Sequence, residues 1–101
     1  MFLVRDIMYC KPGKVRPMVD KFKAMNAIGV RTGMPKMRIS TDLCADRYWT
    51  VVAEMEVENL ASWEQMMSNM GGEEMKEFEQ IMKDYHDLVD QGKREIYKIE
   101  A

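Results

Sequence analysis

The chain has 101 residues, of which 47% are hydrophobic and 32% charged, and its net charge is −2. Those values describe one globular domain, residues 1–101, with enough apolar material for a single core that needs neither metal nor disulfide. No apolar run reaches the roughly 18–20 residues that cross a bilayer; one histidine and two distant cysteines, Cys10 and Cys44, offer no zinc-ligand spacing, so no membrane partner, metal or cofactor is expected.

Residues 2–9, FLVRDIMY, are rich in β formers and are stopped by Pro12-Gly13, which predicts a strand. Arg5 and Asp6 interrupt the apolar run that a secretory signal needs, so the expected location is cytoplasmic. From Lys14 the period changes. Val15, Met18, Val19, Phe22 and Met25 fall on one face of a helix. Pro17 fits only its first turn, and Gly29 or Gly33 ends it, with Pro35 blocking continuation. Residues 36–41 read as an edge strand, with a proline at the entrance and Lys36 and Arg38 on one side.

After a loop at 42–46, residues 47–57 form the strongest strand pattern in the chain. Trp49, Val51, Ala53, Met55 and Val57 make an apolar face; Tyr48, Thr50, Val52, Glu54 and Glu56 make a mixed one. Trp49 and Trp63 are both expected in the core. Asn59 or Ser62 can cap the next helix, and Ser62-Trp-Glu-Gln65 has capping-box spacing. Leu60, Trp63, Met66, Met67 and Met70 are its stripe, and Gly71-Gly72 breaks it. Glu73-Glu74 suit the start of another helix through the macrodipole. Met75, Phe78, Ile81, Met82, Tyr85, Leu88 and Val89 carry helical spacing to about Asp90. Gln91-Gly92 stops the helix, and residues 93–100 predict a last strand.

Twelve residues are methionine. Those on the later helices occupy positions where any apolar side chain would pack on a sheet. Methionine is unbranched and polarizable, so this excess predicts an interior able to reshape around a guest.

Strand, helix, strand, strand, helix pair, strand is the split βαβ order of an α+β, ferredoxin-like fold. The expected spatial order is 4-1-3-2, antiparallel, with all helices on one face. Residues 1–50 carry ten Lys/Arg against four Asp/Glu, and residues 51–101 carry five against thirteen. The basic half lacks the interleaved aromatics of a nucleic-acid surface, so no nucleic-acid partner is expected. It predicts instead a basic first helix lying beside acidic later helices.

The face of the sheet away from the helices would carry Tyr48, Thr50, Val52, Glu54 and Glu56, together with one phase of the first strand. That phase is either Leu3, Arg5, Ile7 and Tyr9 or Phe2, Val4, Asp6 and Met8, and both are mostly apolar. So large an apolar surface marks an interface, which predicts a two-fold homodimer with sheets face to face.

Lys11-Pro-Gly-Lys14 after the first strand, Leu60-Ala-Ser-Trp63-Glu-Gln-Met in the later helix and the closing strand together resemble the dimeric α+β barrel superfamily. The likeness is to its small members, similar to antibiotic-biosynthesis monooxygenases and NIPSNAP-type proteins, and spans nearly the whole chain. It implies two sheets closing into a barrel across a dimer, with a ligand cavity in each subunit. It implies no single function, because relatives include cofactor-independent oxygenases, haem-degrading enzymes, isomerases and ligand-sensing modules. Haem-degrading relatives combine a helical histidine and tryptophan with an asparagine on the first strand. This chain has Trp63 and His86, but neither phase of its first strand offers asparagine, so that activity is not carried over.

Three functions are therefore expected to compete. The first is binding of an apolar organic molecule, with an elongated, fatty-acid-like guest as one form of it. Methionine and aromatic side chains, Met67 among them, would line the cavity, and Arg5, Tyr9, Tyr48, Glu54 and Tyr97 would anchor or fill its polar part. The second is a cofactor-independent monooxygenase or isomerase on an aromatic or carbonyl substrate, with His86, Glu54 or Tyr9 as base. The third is a structural dimerisation module.

Overall fold

In the computed structural model, which describes residues 1–101, the chain runs β1 (Phe2–Cys10), α1 (Val15–Arg31), β2 (Arg38–Thr41), β3 (Thr50–Val57), α2 (Leu60–Ser68), α3 (Gly72–Met82) and β4 (Val89–Lys98). The strands form one antiparallel sheet in the order β2-β3-β1-β4, which is the expected order read from the other edge. The α+β, βαββαβ architecture is as the element order predicted. No helix is long and apolar enough to cross a membrane.

Side-chain alternation divides β1 between two environments. Val4 and Asp6 face the helices, with Phe2, Met8 and Cys10 in the same phase; Leu3, Arg5, Ile7 and Tyr9 take the other phase, on the open side. The core lies under α1, where Met18, Val19 and Phe22 meet Cys10, Val51 and Ala53. Met82, Tyr85, Leu88 and Val89 close over it from the end of the helix layer. The charge asymmetry also resolves as expected, because α1 lies beside α3: Lys21 Nζ donates to the Ile81 carbonyl at 2.6 Å, and Arg31 Nη2 stands 3.1 Å from Glu77 Oε2. Both members of that ion pair are about half exposed, so it orients the helices more than it stabilises them.

Of the two caps expected for α2, Asn59 is the one used: it is extended after β3, and its Oδ1 accepts from the Ser62 amide at 2.8 Å. Other local expectations are corrected. The helix expected to reach Asp90 stops at Met82, and a 3-10 turn at Tyr85–Asp87 leads into a longer β4. There Val89 pairs with Cys10, and the Lys11 amide donates to the Leu88 carbonyl at 2.8 Å. Those strand bonds compete with helix continuation, while the same apolar side chains still reach the core from a turn.

At the other boundaries, β2 begins at Arg38, and β3 begins at Thr50 instead of 47. Asp42 Oδ1 accepts from the Thr50 amide at 2.8 Å, and the Thr50 hydroxyl donates to the Arg47 carbonyl at 2.8 Å, so the loop closes on itself before pairing starts. Trp49 adopts φ +62°, an uncommon backbone for a bulky residue. It leaves the core expected for it and is 43% exposed.

The two cysteines differ sharply. Cys44 is exposed; Cys10 is buried, and burial, followed by the charges of Asp42 and Asp90, raises its thiol pKa and suppresses the reactive thiolate. Cys44 is expected to react with an aromatic disulfide reagent at once, and Cys10 at least about a hundredfold more slowly, on opening of the fold. Stopped-flow absorbance on the Cys44→Ser variant checks this, and equal rates would mean that the end of β1 opens freely.

Candidate functional site

A cavity of about 70 Å³ lies between the sheet and the helix layer. Its floor is Val4 and Asp6 of β1, Ala53 and Met55 of β3 and Arg94 of β4. Its roof comes from Met25 of α1, Trp63 and Met67 of α2 and Phe78 of α3, and Met34 and Met37 close the side. The helical period brings Trp63 and Met67, four apart, onto the same face of α2. Asn26 Oδ1 accepts from the Met37 amide at 2.8 Å and so ties the side wall to α1. A space of this size can hold water, but its walls are mainly sulfur and carbon.

One end of the cavity is polar. Asp6 and Arg94 are direct partners across the β1–β4 ladder. Arg94 Nε donates to Asp6 Oδ1 at 2.6 Å and Nη2 to Oδ2 at 3.1 Å, a two-point carboxylate clamp. The hydrogen bond to Asp6, with its negative charge, raises the Arg94 pKa further and outweighs partial desolvation. The Arg94 guanidinium carbon stands 5.0 Å from the centre of the Trp63 ring. Trp63 Nε1 is buried and has no hydrogen-bond partner. A buried donor left bare costs free energy, so this atom is the conspicuous unpaired donor among the residues that line the cavity.

Of the residues singled out from the sequence, Met67 lines this cavity. Arg5, Tyr9, Glu54 and Tyr97 lie together on the opposite, open face of the sheet. There Arg5 Nε is 3.2 Å from Glu54 Oε2 without an aligned hydrogen bond, and Arg38 Nε is 3.3 Å from Glu54 Oε1. Arg5 and Lys93 reach Glu95 at 3.8 and 3.7 Å, and the Tyr97 hydroxyl donates to Glu95 at 3.0 Å. Arg47 covers the Tyr9 ring at 4.1 Å. The neighbouring Tyr9 hydroxyl, and then the charge of Glu95, raise the pKa of half-exposed Lys93. Tyr48 is 83% exposed in the loop before β3. His86 is exposed on the 3-10 turn and stacks on Tyr85, with ring centres 4.0 Å apart.

The sheet therefore separates two things that sequence reasoning had put in one pocket: the methionine-lined space and the polar anchors. Sequence reasoning missed Asp6 and Arg94 as neighbours of the cavity. The available signal was Asp6 itself, an acid in the middle of the otherwise apolar alternation Phe2, Val4, Met8, Cys10. A wider hollow of about 650 Å³ runs along β2, but it is an open groove beside Lys36, Arg38, Glu54 and Glu56. No three His, Cys, Asp or Glu side chains converge as a metal site would require.

No protein-family model matches the sequence, and no curated protein matches it. Solved structures do. A NIPSNAP domain protein from Burkholderia xenovorans superposes with a TM-score of 0.80 at 10% identity, over 100% of this chain and 96% of that one. A putative antibiotic biosynthesis monooxygenase from Nitrosomonas europaea gives 0.70 at 12% identity, over 100% of both chains. A conserved protein from Methanosarcina mazei gives 0.71 at 15% identity, over 98% and 92%. The chain thus has the ferredoxin-like α+β fold found in NIPSNAP-domain and antibiotic-biosynthesis-monooxygenase-like structures.

Proposed function

We propose that this protein is a cytoplasmic homodimer in which each subunit holds a compact apolar organic molecule between its sheet and its helices. The observation that carries the binding role is the cavity: five methionines, Trp63 and Phe78 surround a space with one polar end. Soft thioether walls allow it to expand around a guest. At about 70 Å³ it suits a compact molecule better than an extended acyl chain.

The dimer has separate support. The molecule is a slab, 37 × 35 × 18 Å, with helices on one side only. It exposes 6785 Å², against about 5,950 Å² for a typical folded monomer of 11.9 kDa. The excess, about 800 Å², matches what one partner loses in an interface of standard size. Leu3, Tyr9, Val52 and Tyr97 supply apolar area on the open face, and its interleaved Arg, Lys and Glu side chains can pair with a rotated copy of themselves.

Two structural neighbours are named as antibiotic biosynthesis monooxygenases. A cofactor-independent oxygenase or isomerase needs a base facing its substrate. His86, Glu54 and Tyr9 all lie outside the cavity, so binding is the better-supported function.

Xenon, an apolar probe for such spaces, tests the cavity through the methionine methyl signals in NMR. Saturable shifts are expected at Met25, Met37, Met55 and Met67, with none at exposed Met1. Shifts spread evenly over all methionines, or no shifts, would overturn the binding role.

A further inference from the structure

Resting on the cavity as a binding site, we propose that it selects neutral carbonyl compounds, such as ketones, aldehydes or quinones, and rejects carboxylates of the same size. Trp63 Nε1 is buried without a partner, and an indole nitrogen can only donate. The group that completes it must therefore be an acceptor. Arg94, over the Trp63 ring, is the positive charge that would draw a carboxylate in, but its Nε and Nη2 are already committed to Asp6 at 2.6 and 3.1 Å. That pairing is built into the fold, because the two residues are direct partners across the ladder.

The polar end therefore has donors to offer and no net charge. Arg94 is about half exposed there, but a carboxylate entering still meets Asp6 as closely as Arg94, with no surplus positive charge to compensate. A neutral carbonyl oxygen that displaces the soft methionine lining to reach Trp63 Nε1 accepts from it without that repulsion, and its apolar remainder lies against Met55, Met67 and Phe78. Asp6 is then a specificity-determining residue that acts through Arg94.

Diethyl ketone and butyrate, equal in heavy-atom count, are suitable probes at neutral pH, where butyrate is ionised. The chain has two indole N–H signals, and the Trp63→Phe variant identifies the one that matters. Diethyl ketone is expected to move the Trp63 signal downfield in a saturable manner, with butyrate at least about tenfold weaker. In Asp6→Asn, which frees Arg94, butyrate binding is expected to rise at least about tenfold, with the ketone changing by less than about threefold. Butyrate binding as tightly as the ketone in the unmutated protein would overturn the selectivity. So would methionine methyl shifts from the ketone with the Trp63 signal unmoved, although the cavity would then stand as a binding site. Failure of the ketone, butyrate and xenon alike would remove both. If Asp6→Asn does not fold, the comparison in the unmutated protein decides.

Discussion

Replacing Phe22 by alanine is expected to lower the unfolding free energy by about 3–5 kcal/mol. Phe22 is 2% exposed and belongs with Met18, Val19, Cys10, Val51 and Ala53 to the one tightly buried cluster, directly beneath α1. Only ten hydrophobic residues are fully buried in the chain, so no second core exists to share the loss. A small domain has roughly 5–15 kcal/mol in total, and this one substitution removes a large share of it. Urea unfolding followed by circular dichroism measures the effect. Met18→Leu serves as the comparison: it keeps shape and hydrophobicity at a fully buried position and is expected to cost less than about 1.5 kcal/mol. Equal costs for the two would mean that the cluster under α1 is not what holds the sheet to its helices. If the protein is a dimer, the unfolding midpoint should also rise with protein concentration.

Val52→Glu is expected to yield a folded monomer. Val52 lies opposite Ile7 on the open face, two positions from Glu54. In a single subunit the new carboxylate can stay in water, so the sheet should survive and the circular dichroism spectrum should be unchanged. In a face-to-face dimer the same carboxylate is buried near Glu54 with no cation of its own, since Arg5 and Arg38 already serve Glu54. Dissociation should become at least about a hundredfold easier. Sedimentation velocity reads the result directly. An unmutated protein that sediments as a monomer, or a variant that remains a dimer, would remove the open face as the interface.

Much of the fold was legible because it depends on patterns that a single chain carries in order. Alternation in residues 2–9 and 47–57, helical spacing from Val15 to Met25 and the Gly71-Gly72 break are local properties, and each produced the expected element, with β3 starting only at Thr50. The antiparallel order β2-β3-β1-β4 followed from element order and from charges placed at the edges. Local pattern failed where two structures could satisfy the same residues. Tyr85, Leu88 and Val89 keep helical spacing yet reach the core from a turn and a strand, because pairing with Cys10 and Lys11 supplies their backbone bonds.

The sequence by itself determined that this is an α+β domain with a methionine-rich helix layer and an open sheet face of mixed apolar and charged side chains. Only the tertiary structure decided which phase of β1 faces the helices, because both phases are mostly apolar and a shift of one residue exchanges every side chain between faces. That choice puts Asp6 against Arg94 beside the cavity and sends Arg5 to Glu54 on the other side. The burial of Trp63 Nε1 without a partner likewise depends on residues distant in sequence and near only once the sheet has formed, whereas Trp49 is turned out of the core by its own loop.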